Sequence, residues 1–175
     1  TRSVTYLDHN DVVILSDQLL FRVNEDITTV DYTVNAPYTT DDSHKFEGWK
    51  INHAHNTSGI NIVGYDADAN NYPNNTRITI TGDVVFDVHV IEGNWLVFDE
   101  NGKGGTYNAP MFVLRNQNTV CPSMATAAEM KRKGYDFDKW YTNSECTDGY
   151  EFRFGGTIDS RTVIYAKWIP HTTAP

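Results

Sequence analysis

The chain has 175 residues, of which 39% are hydrophobic and 21% charged, a balance that excludes a long disordered polymer. Its formal net charge is −9 and its pI near 4.9, so a diffuse negative field works against binding nucleic acid or an anionic membrane surface. No apolar run approaches the roughly 20 residues that span a bilayer, so membrane insertion is not expected in this segment.

The start, "TRSVTYLDHND", has no apolar stretch of the signal-peptide kind, so any secretion signal is expected to lie outside this segment. Strands are then expected at "SVTYLD" (3–8), "VVILSDQLLFRV" (12–23), "KFEGWKI" (45–51), "INIVGY" (60–65), "RITI" (77–80) and "VVFDVHVI" (84–91). They continue at "WLVFD" (95–99), "PMFVLRN" (110–116), "YDFDKWYT" (135–142), "YEFRF" (150–154) and "TVIYAKW" (162–168). Most alternate apolar with polar residues and are rich in β-branched or aromatic types, as half-buried strands are. One helix is expected over 122–134. Pro122 opens it, the basic run Lys131-Arg132-Lys133 complements its dipole, and Gly134 offers a left-handed end. "DYTVNAPYTTDDS" (31–43) contains Pro37 and is read as irregular. The end, "IPHTTAP", reads as a linker tail over 170–175, so the chain is expected to be part of a larger multidomain protein.

Laid on itself, the chain repeats. At a shift of 91 positions "VTYLDHND" (4–11) falls on "WLVFDENG" (95–102), which makes Val4 the partner of Trp95. At the same shift Phe46 falls on Phe137 and Trp49 on Trp140. Later the shift drops to 78, where "TITGDVVFDVHV" (79–90) falls on "TIDSRTVIYAKW" (157–168). Two tandem modules follow, over 1–93 and 94–169, with extra chain in the first near 52–76. Gly93-Asn94 marks the boundary by breaking strand periodicity. Each module is read as β-grasp-like, α+β but mostly β, with a mixed sheet, the second carrying one helix to cover its apolar face.

The second module resembles the internalin B-repeat, or Listeria/Bacteroides repeat, family of bacterial surface proteins. The resemblance rests on "VFDENG" (97–102), "KGYDFDKWYTN" (133–143) and "VIYAKW" (163–168). The first module keeps Phe46, Gly48 and Trp49 but closes with "FDVHV" and no Trp, as a diverged repeat. The resemblance implies an extracellular location, on the bacterial surface or secreted, an adhesive or spacer role, and no catalysis.

Candidate sites are few. Trp49, Trp140 and Trp168 are read as core, since modules this small lean on large aromatics. Trp95, beside the boundary, either packs between modules or lies exposed as a stacking residue. The 52–76 insertion carries Tyr65, Asp66, Asp68 and Tyr72, aromatic faces beside hydrogen-bonding groups as a neutral glycan requires. Its alternative reading is a surface excursion with an extra hairpin. "DADANN" (66–71) and "DENGKGG" (99–105) are oxygen-rich but lack the calcium-loop pattern and are read as turns. His53 and His55 show no third metal ligand in sequence, so no metal or other cofactor is expected. No nucleophile elbow, zincin motif or phosphate loop occurs, so the chain is not read as an enzyme. Cys121 and Cys146 are either a disulfide or two free thiols. The function expected is therefore a non-catalytic surface module that meets a host or neighbouring cell-surface protein or a polysaccharide. The alternative is a carbohydrate-binding module of a secreted or surface enzyme or adhesin.

Overall fold

A computed structural model describes residues 1–20 and 28–172. The end of the expected strand 12–23 and the last residues of the 170–175 tail lie outside the described residues. The chain forms two compact units, Thr1–Thr40 with Phe46–Ile91, and Asp41–Lys45 with Glu92–Pro175.

In the first unit, β1 (Arg2–Leu7) pairs antiparallel with β2 (Val13–Leu19) and parallel with the first part of β6 (Val84–Asp99), through Val4↔Val84 to Leu7↔Asp87. The strand β4 (His44–Ile51) also pairs with β6. Two further strands, β3 (Val30–Thr33) and β5 (Arg77–Ile80), form an antiparallel pair of their own. The alternation in β1 and β6 turns Val4, Tyr6, Val84 and Phe86 inward, where they meet Trp49 and Ile80. The Tyr6 ring lies 4.8 Å from Trp49, edge to face, and 5.5 Å from Phe86. Its hydroxyl accepts from the Asn35 amide and meets the Tyr32 hydroxyl at 2.5 Å, and Tyr32 donates to Asp17. The buried phenols are thus satisfied by one another and by a carboxylate at the edge.

In the second unit the order is β7-β6-β9-β8. The last part of β6 pairs antiparallel with β7 (Met111–Leu114) and parallel with β9 (Thr162–Pro170), and β9 pairs antiparallel with β8 (Tyr135–Tyr141). Leu96, Phe98, Val113, Trp140, Ile164 and Ala166 form the core. Gly93 sits opposite Leu114, so close to β7 that a Cβ there would overlap the Val113 carbonyl.

Several expectations are corrected. No α-helix occurs among the described residues, so the helical half of the expected α+β fold is missing and the chain is mostly β. In place of the helix over 122–134 stands a single 3-10 turn, Ser123–Ala125. The Ala125 carbonyl, which an α-helix would give to the fourth residue on, accepts from the Trp140 indole at 2.9 Å. Thr126 is extended, and its own carbonyl receives the amides of Glu129 and Met130. Tertiary packing of Ala125 and Met130 on Trp140 thereby overrides local helix propensity.

Gly93-Asn94 does not interrupt a strand, because β6 runs through both residues. "INIVGY" and "YEFRF" are not strands. Each makes one bridge only, Ile62↔Ile80 and Tyr141↔Glu151. The segment read as irregular over 31–43 begins within β3.

The register of the repeat also changes. Since Val4 opposes Val84 and Leu96 opposes Thr162, the residue corresponding to Val4 is Leu96, not Trp95. A one-residue slip exchanges the faces of a strand, so Trp95 leaves the core side. The first unit absorbs the slip at Leu7, a buried residue next to buried Tyr6 and directly before the Asp8 turn. The two cysteines are unbridged. Cys121 is half-buried beside Pro122, and Cys146 is buried with its thiol on the Ala166 carbonyl.

Trp140→Phe keeps most of the ring but orphans the Ala125 carbonyl, and should cost about 1–3 kcal/mol. Trp140→Ala adds a cavity and should cost about 3–5 kcal/mol. Urea unfolding followed by circular dichroism measures both, and a Phe variant as stable as the parent would refute the anchoring role.

Candidate functional site

The 52–76 insertion is held down by asparagine side chains. A side-chain amide sets an N–H donor beside a carbonyl acceptor, so it can pair with both polar groups of a backbone residue as a neighbouring strand does. Asn56 accepts from the Val85 amide and donates to the Val85 carbonyl, at 3.0 and 2.9 Å. Asn70 does the same to Ile51 at 2.8 and 2.9 Å, and Asn74 to Ala36 at 3.1 and 2.9 Å. Asn74 also accepts from the Trp49 indole at 2.9 Å. Tyr72 completes the set with a backbone pair to Trp49. Asn56, Asn70 and Asn74 thus spend their amides on the protein's own backbone and serve structure.

Of the sequence-predicted site residues, the structure sets two, Tyr65 and Tyr72, on one core. Tyr65 and Tyr72 are half-buried and pack on the first core, with Tyr72 5.5 Å from Phe86. Burial raises the Tyr72 phenol, and the charges of Tyr65 and Asp66 raise it further. The Tyr65 ring also meets His53 at 6.3 Å, edge to face. Asp66 itself accepts from the Asp68 amide and caps the 3-10 turn Ala67–Ala69, so "DADANN" is a turn. Exposed Asp68 lines a separate open cleft of about 500 Å³ with Lys50, Asn70, Asn71 and His89. Trp95 belongs to the other unit, where it is half-buried, with its ring 5.1 Å from Phe112 and the Lys45 ammonium 5.9 Å from its centre. "DENGKGG" likewise starts with a turn, Asp99 accepting from the Asn101 amide.

A group that the sequence reading did not assemble lies at the other end of the insertion. His55 Nδ1 meets both oxygens of Asp87 at 2.9 and 3.1 Å, while its Nε2 stands 3.6 Å from Asp11. The Asp87 hydrogen bond raises the imidazole's pKa, burial opposes it, and the charges of Asp87 and Asp11 add to the rise. His55 and Asp87 are 44 and 76 positions from Asp11 in the chain and are brought to it by the β1–β6 register and the Asn56 clamp.

In the second unit His44 has a comparable setting. Its Nδ1 lies 2.6 Å from Asp41 and its Nε2 3.5 Å from Glu92, which also pairs with Arg115 at 3.1 Å. The Asp41 hydrogen bond raises His44 above 6.5, and the same contact, with help from Ser43, lowers Asp41 from 3.8 to about 2. The stabilisation due to His44 is full below 6.5 and lost as pH rises through its raised value. That due to Asp41 is full above 3.8 and lost as pH falls through about 2.

Two outcomes are expected. Asn74→Ala leaves the Trp49 indole and the Ala36 backbone without partners, and should cost at least about 1–3 kcal/mol in urea unfolding. A pH titration of the His44 ring by NMR should give a midpoint above 6.5 that moves back in Asp41→Asn, and an identical midpoint in both proteins would contradict the pairing.

No curated protein matches the chain, and no solved structure does. Residues 96–167 match the family model of the Listeria-Bacteroides repeat domain. They hold most of the second unit, from Leu96 of β6 to Lys167 of β9, so this unit carries the signature of a repeat found in bacterial surface proteins.

Proposed function

We propose that the chain is a non-catalytic extracellular segment of a bacterial surface protein, adhesive or spacing in role, built from two tandem repeats of which the first has diverged. The observation that carries this reading is the family match over 96–167. The diverged-repeat reading is supported by the shared arrangement of the two units, each a parallel pair of its first and last strands with an antiparallel strand beside the first. It belongs on this reading to a larger multidomain chain, and it meets a cell-surface protein or polysaccharide rather than nucleic acid. Labelling of intact producing cells with an antibody to this segment should stain the surface. Staining only after lysis would sink the extracellular assignment.

A second reading, carbohydrate binding, is favoured by one observation. Tyr65 and Tyr72 both pack on the first core, with Asp66 next to Tyr65 in the chain and His53 beside the Tyr65 ring. An aromatic face flanked by a carboxylate and phenols suits a sugar's C–H face and its hydroxyls. Tyr65→Ala is the sharper probe, because Tyr72 also serves the core. On a glycan array, binding that Tyr65→Ala reduces at least about tenfold would favour this reading, a loss of about 1.4 kcal/mol. An array on which the parent binds nothing leaves the spacing role.

A further inference from the structure

We propose that His55 and Asp11 form a divalent transition-metal site of the zinc class on the first unit, with Asp87 as the orienting group behind the histidine.

The proton on the ring decides which nitrogen can bind a metal. An ionised carboxylate only accepts hydrogen bonds, so Asp87, at 2.9 and 3.1 Å from Nδ1, fixes the proton on that nitrogen. In the neutral ring the lone pair then belongs to Nε2, which points towards Asp11. A carboxylate behind the distal nitrogen is the arrangement that orients metal-binding histidines and raises their basicity.

The distance on the open side fits. Nε2 and the Asp11 oxygen are 3.6 Å apart, long for a hydrogen bond between these atoms. Zinc binds imidazole nitrogen and carboxylate oxygen at about 2.0–2.2 Å, so two such ligands at a tetrahedral angle are about 3.4 Å apart. The separation present is therefore close to the edge of a zinc tetrahedron before any movement. One ligand atom from each of the three residues falls within 4.8 Å of the others.

The three residues are held independently. Asn56, 8% exposed, clamps the turn carrying His55 to Val85, two residues before Asp87 on the same strand. Asp87 is fixed opposite Leu7 by the parallel register. Asp11 sits in a turn closed by the Asp8 side chain, which accepts from the amides of Asn10 and Val12. Asp11 is the exposed member, with 67% of its side chain accessible, so solvent can complete the coordination. Among the described residues, no lysine or arginine pairs with Asp11 or Asp87. At His44 the comparable carboxylate, Glu92, already has Arg115 for its cation.

Isothermal titration of the full chain with Zn²⁺, in a Cys121→Ser/Cys146→Ser background and above the imidazole's titration range, tests this. One Zn²⁺ should bind per chain, and His55→Ala and Asp11→Asn should each abolish it. Asp87→Asn should weaken it about tenfold. Since a variant can fail to fold, the long-range ¹⁵N spectrum of the parent is the second measurement. Zn²⁺ should move the Nε2 resonance of His55 and leave Nδ1 protonated. Absence of Zn²⁺ binding, binding unchanged in His55→Ala, or a His55 ring that does not respond to Zn²⁺ would each overturn the site.

Discussion

Each unit depends on one pairing, the parallel ladder between its first and last strands. Parallel neighbours cannot be joined by a tight turn, so the chain must leave the sheet and return before the ladder closes. Between Leu7 and Val84, and again between Asp99 and Thr162, the polypeptide makes that excursion. Much of what distinguishes the units lies there: the 52–76 insertion and the β3–β5 pair in one, the 3-10 turn under Trp140 in the other. The ladder also sets which side chains meet the core, because Val4, Tyr6 and Phe86, like Leu96, Phe98 and Ile164, take their faces from its register.

An excursion of that length would normally need helix or strand to satisfy its backbone. Here side-chain amides do much of the work. Asn56, Asn70 and Asn74 each pair with both polar groups of one distant residue, so non-repetitive chain gains the hydrogen bonds of a strand without its geometry. The arrangement accounts for an Asn-rich stretch that composition alone would assign to turns. It also gives the insertion fixed points from which His55 and Tyr65 are presented.

What could be read in the sequence was whatever depends on near neighbours along the chain. Trp49 and Trp140 fall at matching positions in "KFEGWK" and "DFDKWY", and both are buried. Most strands alternate clearly enough to be placed within a few residues. The failures share a physical cause, a distant partner that outweighs a local preference. The 122–134 segment has helical composition, but the Trp140 indole takes the Ala125 carbonyl. Trp95 looked equivalent to Val4 until the extra residue at Leu7 shifted the ladder by one. Tyr65 and Tyr72 are close in sequence and share one core, whereas the Asp11, His55 and Asp87 group needs a strand register that periodicity does not specify.

The same parallel ladder has a mechanical meaning. In each unit the chain enters at the start of one paired strand and leaves at the end of its parallel neighbour, as with β6 and β9. Tension applied through the two ends therefore slides the strands past each other. The evenly spaced bonds of a parallel ladder then share the load and must fail together, where a hairpin pulled from its open end would unzip one bond at a time. Resistance to such pulling is set by the unfolding rate rather than by equilibrium stability. A unit loaded through its two ends would thus resist shear through this ladder rather than through its core.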